Sequence, residues 1–466
     1  MNPKPKKTSG FQIKQLNPGR NSLFFFGSMI VALLLTWLIS APGFTDSQNY
    51  VLFLLFFSIG LWLSEAIPPF AVGLFIMAYL FFTMGNARLN SQPQDVAKYV
   101  QTFSNSIIWL LLGGFFLAEA MTKTGIDVYF FRFSLKLSGK VPKNILLGIM
   151  LMTMVASMIL SNSATTSMVM ASVMPLIRKL GKNTFSQALL VGIPLAASVG
   201  GMGTIIGSPT NAIAVGVLEN NGITVNFLKW MYFGIPLALV LTTAGWWLLK
   251  IKYIRDNSPV EMDLPAEDAT DKKEMQKKRR IVLIVLIVSV LLWMTSSLHN
   301  ITVSAVAAIP IVFLTMTRIL TSEDIRKLPW DTLLLVAGGL SLGLGLQDTG
   351  LLQHFANRML GPSLNSTFMF LAFAYTTMVF SNIMSNTATA TILIPLGIYM
   401  MPEQAMQIAI VIGLSASTAL LLPVSTPPNA IAYSTGLIKQ KEFLPGGLLV
   451  GLLGPLLVVL LTLLML

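Results

Sequence analysis

Residues 157–166 read Ser-Met-Ile-Leu-Ser-Asn-Ser-Ala-Thr-Thr, and residues 381–390 read Ser-Asn-Ile-Met-Ser-Asn-Thr-Ala-Thr-Ala. Each tract interrupts a long apolar stretch near its middle, 144–177 in the first case and 364–400 in the second. Backbone that leaves a helix inside a bilayer exposes amides and carbonyls, at several kcal/mol each, unless protein, water or a ligand meets them. A single Ser-Asn-Ser reads as polar glue between membrane helices. Two such breaks, 224 residues apart and in register with further matches, require a shared reason.

The rest of the chain makes the bilayer its solvent. Of 466 residues, 54% are hydrophobic and 11% charged, with a mean hydropathy of +0.73, whereas a soluble domain covers itself with roughly a quarter charged residues. The absence of Cys removes disulfides, thiol catalysis and Cys-ligated zinc, and two His (His299, His354) argue against a histidine-built metal centre. The net charge of +12 sits between apolar stretches, where it sets membrane orientation and gives no reason to expect nucleic acid. Residues 1–20 are polar and basic, and no cleaved signal peptide is expected.

A crossing needs about 20 mostly apolar residues. Spans are read at 22–40, 50–66, 69–85, 103–122, 187–222, 227–250, 281–297, 301–320, 329–347, 404–436 and 443–466, about eleven crossings. Lys136, Lys140 and Lys143 precede the first broken stretch and Arg178, Lys179 and Lys182 follow it, so it enters and leaves by one face as a re-entrant hairpin. With both broken stretches treated this way, 27 Lys and Arg lie inside and four (Arg88, Lys98, Lys229, Arg358) outside. That asymmetry predicts a cytoplasmic N-terminus and an external C-terminus in a membrane expected to be the bacterial inner membrane.

The register between the halves is consistent. Gly113-Gly114 and Thr124-Gly125 recur as Gly338-Gly339 and Thr349-Gly350, 225 residues on; Gly207-Ser208-Pro209-Thr210-Asn211 recurs as Ser425-Thr426-Pro427-Pro428-Asn429. Five crossings per unit invert the second against the first, which with interrupted helices points to a secondary transporter. The expected division is 1–49 as tail and first helix, 50–253 as first repeat (hairpin 144–180), 254–280 as charged cytoplasmic linker, and 281–466 as second repeat (hairpin 364–402).

At each hairpin tip the helix that begins after the break offers free N–H groups and a positive dipole end, which suit an anion. The carbonyls ending the preceding half-helix suit a small hard cation. The tips and the two Pro-containing loops contain no Asp, Glu, Lys, Arg or His, which favours coupling by Na⁺ over H⁺. Glu65 is expected in a structural or interfacial contact and His299 and His354 in solvated or interfacial positions, while Glu119, deeper than Glu65, is a secondary functional candidate. No nucleophile, paired carboxylate or metal cluster marks an enzyme, and a channel would line a pore with rings of like residues.

Ser161-Asn162-Ser163, Ser385-Asn386-Thr387, the two Pro-containing loops and Trp62-Leu63-Ser64-Glu65-Ala66-Ile67-Pro68 together resemble the divalent anion:sodium symporter family, the INDY-type dicarboxylate transporters. The resemblance runs from about residue 50 to the end. It implies a homodimer working by an elevator motion, with at least two Na⁺ sites. One site would use Ser157, Ser161, Asn162 and Gly207, the other Ser381, Met384, Asn386 and Ser425, several through backbone oxygen. The substrate would touch Asn162, Ser163, Ser208, Asn386, Thr387 and Thr426. Ser163 stands where the family has Thr, keeping the hydroxyl and losing a methyl. The expected function is sodium-coupled import of C4 dicarboxylates such as succinate, malate or fumarate. The alternatives are citrate or sulfate, exchange without sodium and, more distantly, an anion channel.

Overall fold

The computed structural model describes residues 18–466 except 91, 92, 94, 182, 257, 261–271, 360–364 and 466. The first seventeen residues, the acidic centre of the expected linker, Lys182 and the start of the second hairpin at 364 therefore lie outside the described residues. Among the described residues every regular element is helical. The first part runs α1 (Pro18–Ile39), α2 (Asp46–Ser64), α3 (Pro69–Met84), α4 (Ala97–Gln101), α5 (Ser106–Thr124), α6 (Ile126–Ser138), α7 (Pro142–Ser157), α8 (Asn162–Leu180), α9 (Thr184–Gly200), α10 (Pro209–Asn220) and α11 (Phe227–Tyr253). The second runs α12 (Lys272–Met294), α13 (Ser296–His299), α14 (Val303–Met316), α15 (Ser322–Arg326), α16 (Trp330–Asp348), α17 (Leu351–Met359), α18 (Ser366–Ile383), α19 (Asn386–Met400), α20 (Ala405–Ala416), α21 (Pro427–Ser434) and α22 (Leu444–Met465).

Local signals set the ends. Thr45 and Gln48 form a capping box on α2, and Asn105, Asn183, Asn226 and Asn365 accept from the first turns of α5, α9, α11 and α18. Glu65 ends α2 in the left-handed conformation, a structural position. His299 is structural too: its Nδ1 accepts from the Ile301 amide at 3.0 Å, which leaves Nε2 to donate to the Leu292 carbonyl at 2.9 Å.

The packing pattern occurs twice. α3 lies against α16, and α14 lies against α5; α7 packs on α9 as α18 packs on α20; α11 and α22 cover α9 and α20. Small residues set the cross-half contacts. A Cβ on Gly338 would fall 2.3 Å from the Gly73 Cα, and one on Gly113 would fall 2.8 Å from the Ala307 Cβ, so both crossings need close backbones. Two ion pairs join the halves at equivalent positions with reversed sign: Lys123 with Asp324, and Lys98 with Asp348 at 2.6 Å, the latter also accepting from the Tyr99 hydroxyl at 2.9 Å.

Within the span read at 187–222, short 3₁₀ turns at 201–203 and 205–207 separate α9 from α10, and within that read at 404–436 an irregular segment at 417–426 separates α20 from α21, each at its Pro-containing loop. The expected cytoplasmic loop 123–143 contains α6, with Phe130, Phe133 and Leu137 exposed. α12 begins at Lys272, inside the charged stretch 254–280. Eight described helices are long and apolar enough to cross a membrane, and α3, α7 and α14 are shorter apolar helices. The chain is an integral, multi-pass membrane protein.

Candidate functional site

Ser161 and Ser385 hold the two tips. Each is extended, and its hydroxyl accepts from the amide three residues on, Ala164 or Ala388, at 3.2 Å. Their side chains thus cap helices, with the Ser161 hydroxyl occupied in that role. The helical pattern gives the amides of Asn162, Ser163, Asn386 and Thr387 no acceptor, so each tip presents two donors at the positive end of a helix.

Oxygens gather at the first break. The Ser157 hydroxyl lies 2.7 Å from the Ala197 carbonyl and 2.7 Å from Asn162 Oδ1, and one hydroxyl proton cannot serve both. Two arrangements resolve this. With its amide turned, Asn162 Nδ2 lies 2.7 Å from the Ser157 hydroxyl and 3.2 Å from the Gly207 and Ala197 carbonyls, and its two protons are shared among these three acceptors. With Oδ1 inward, a cation among these oxygens takes the place of the protons. Gly201 and Gly207 permit the approach: a Cβ on Gly201 would sit 2.4 Å from Asn162 Oδ1, and one on Gly207 would sit 2.6 Å from the Gly201 carbonyl and 3.1 Å from that of Ser157. Ser157, Asn162 and Gly207 are therefore brought together, while the Ser161 hydroxyl caps α8.

At the second break, among the described residues, the corresponding side chains make no hydrogen bond to one another. Ser381 is fully buried, and neither its hydroxyl nor Asn386 Oδ1 has a hydrogen-bond partner; the same holds for the hydroxyls of Ser415 and Ser417. Unpaired buried oxygens cost about 1–3 kcal/mol each, which a ligand can relieve. The Ser425 hydroxyl donates to the Leu422 carbonyl at 2.8 Å, and Met384 ends α18 in an extended conformation.

Side chains outside the expected set pin these loops. Asn211 donates to the Gly201 and Thr204 carbonyls at 2.8 Å each, and Asn429 donates to those of Leu420 and Leu422 at 3.2 and 3.0 Å. Asn382 accepts from the Leu421 amide at 3.0 Å, tying α18 to the second loop. The repeat had marked Asn211 and Asn429; nothing in the sequence marked the Ala197 carbonyl or Asn382.

The breaks also meet across the halves, since α8 packs on α21 and α19 on α10. Ser208 and Thr426, the residues that open α10 and α21, are both buried. The Ser208 hydroxyl pairs with that of Thr210 at 2.9 Å, while Thr426 caps the Asn429 amide at 3.3 Å. Pro427 and Pro428 remove two N–H groups from the start of α21, where α10 loses only one at Pro209, so the two loops are unequal donors.

Broken helices lined with oxygen ligands and free amides, in a chain that spans the membrane many times, define a transporter and not an enzyme. The chain belongs to the citrate transporter family, whose model matches residues 59–411. This agrees with the resemblance to the divalent anion:sodium symporters. It is 27% identical to the sodium-dependent dicarboxylate transporter SdcS of Staphylococcus saprophyticus, over 96% of this chain and 91% of that protein. It is 28% identical to the SdcS of Staphylococcus aureus strain USA300, over 86% and 82%, and 28% identical to an uncharacterized transporter of Haemophilus influenzae, over 95% and 96%. Among solved structures, the Alcanivorax borkumensis YdaH transporter shares the fold with a TM-score of 0.53 at 14% identity, covering 85% of this chain and 97% of that one.

Proposed function

We propose that the chain is a sodium-coupled importer of C4 dicarboxylates. The observation that carries this is the oxygen cluster of Ser157, Asn162, Ala197 and Gly207 at the end of one half-helix, beside free amides at the start of the next. A dianion there is neutralised by helix ends and by Na⁺, so its affinity depends on sodium by linkage. The names of the staphylococcal relatives agree with this reading. Ser163, Thr387, Ser208 and Thr426 supply hydroxyls to the carboxylates; Ser161 and Met384 contribute backbone oxygen to the cation sites, Ser425 and Gly207 their loop oxygens.

Residues 50–253 and 281–466 act as inverted repeats in each protomer of a homodimer, and an elevator movement carries the site across the bacterial inner membrane. Movement is permitted when the site is empty or fully loaded, because a lone dianion or a lone Na⁺ is costly to drag past an apolar scaffold. Citrate is the second reading, favoured by the family match. Both are tested by labelled succinate uptake into proteoliposomes, with and without an inward sodium gradient and with unlabelled C4 to C6 acids as competitors. Uptake should require sodium and be suppressed best by C4 dianions. Indifference to sodium removes the symport reading, and stronger competition by citrate replaces the C4 assignment.

A further inference from the structure

Away from the breaks, an apolar cleft of about 600 Å³ opens between α6, α7 and α12. Its floor is one face of α7, with Leu147, Leu151 and Val155 recurring at helical spacing; Phe130 and Phe133 of α6 form its roof, and Leu286 of α12 closes the far wall. The Ser134 hydroxyl donates to the Gly148 carbonyl at 2.8 Å and fastens roof to floor. From Asn144 at one end of the α7 face to Val155 is about 16 Å at helical rise. That is about the hydrocarbon depth of one leaflet.

Basic residues dominate the Asn144 end, which the segment carrying Arg255 and Asp256 also reaches, the Val260 amide donating to the Lys140 carbonyl at 2.9 Å. Lys143 adjoins Asn144, Lys136 and Lys140 bracket Ser138, which also lines the cleft, and no Asp or Glu occurs from residue 128 to 218. The one acidic lining residue, Asp127, starts α6 at the opposite end of that helix from Ser138, and burial pushes its carboxyl above the ordinary carboxylate range. α6 is an amphipathic helix with its apolar face toward the cleft, flanked by Gly125 and Gly139 at φ 67° and 68°.

We propose that this cleft is a binding site for an anionic phospholipid, one acyl chain lying along α7 beneath α6 and the phosphate resting on Lys140 and Lys143. The lipid joins α7 to α12, whose residues Leu151 and Leu286 line the one cleft. Two lysines at the headgroup favour an anionic over a zwitterionic lipid by about tenfold or more.

The test uses the full-length protein, purified with equimolar phosphatidylglycerol and phosphatidylcholine of matched chains, and counts retained lipid by native mass spectrometry. The expected result is preferential retention of phosphatidylglycerol, a preference that Lys140→Glu with Lys143→Glu removes. Leu151→Trp, which fills the groove, should lower retention of both lipids on the order of tenfold. Val155→Phe gives the same reading should Leu151→Trp not fold, folding being followed by gel filtration. Equal retention of the two lipids by the unaltered protein, undiminished retention in a folded groove-filling variant, or cross-linking of two copies through Val155→Cys would each overturn the proposal.

Discussion

Asn162 matters because an amide side chain supplies either an oxygen to a cation or two protons to carbonyls, and its neighbours here are almost entirely oxygens. Alanine at Asn162 or Asn386 should abolish sodium-dependent uptake, a drop of about a hundredfold or more in an interaction this central, while the protein still elutes as a folded species. A sharper test is Gly201→Ala. Its Cβ would lie 2.4 Å from Asn162 Oδ1 and 2.9 Å from the Gly207 carbonyl. It should raise the sodium concentration for half-maximal uptake about tenfold or more, one pair of displaced ligands being worth roughly 1.4 kcal/mol. An unchanged sodium requirement would show that this cluster is not the cation site. At this scale much was legible: Ser157, Asn162 and Gly207 converge as their motif implies. What stayed hidden is the share of the site made by main chain. Ala197 contributes a carbonyl that any residue would have, so no side-chain pattern could announce it.

At the scale of elements, the breaks between α7 and α8 and between α18 and α19 were legible because a polar tip inside an apolar run has few physical readings. α6 was not, because Arg132, Lys136 and the glycines around it look like a solvated loop until Phe130, Phe133 and Leu137 are seen on one face. The broken character of 201–207 and 417–426 was marked by Pro and Gly, while its fastening by Asn211, Asn382 and Asn429 emerged only in three dimensions. The ends of α5 and α15 are joined by the Lys123–Asp324 pair. Burial alone would raise the Asp324 carboxyl, but the Lys123 ammonium and the Thr321 amide and hydroxyl outweigh it and bring it down to about 2. A folded-state value below the unfolded value of about 3.9 stabilises above that value and fades as pH falls through the folded one. Lys123→Ala should therefore destabilise the detergent-solubilised protein by about 1 kcal/mol at neutral pH. The difference in melting temperature between the two should shrink from about pH 4 downward and vanish near pH 2. A difference that persists undiminished to about pH 3, the middle of that window, would show that the pair contributes through packing and not through charge.

For the whole molecule, the reading that puts 27 cations on one side and four on the other predicts one orientation. A green fluorescent protein fused after Leu466 should stay dark and an alkaline phosphatase at the same place should be active; the opposite pattern would invert the topology. The swapped ion pairs and the Gly73–Gly338 and Gly113–Ala307 crossings show how two similar units interlock through their first helices, leaving the hairpins and post-break helices to meet around the site. On the proposed reading the tips and loops, which hold no Lys, Arg or His, leave the anion's counter-charge to arrive with it. Equilibrium binding of succinate to the purified protein over a sodium titration, with choline holding ionic strength constant, measures this directly. Affinity should rise steeply with sodium and be undetectable in choline alone. Succinate binding of equal strength without sodium would contradict the account.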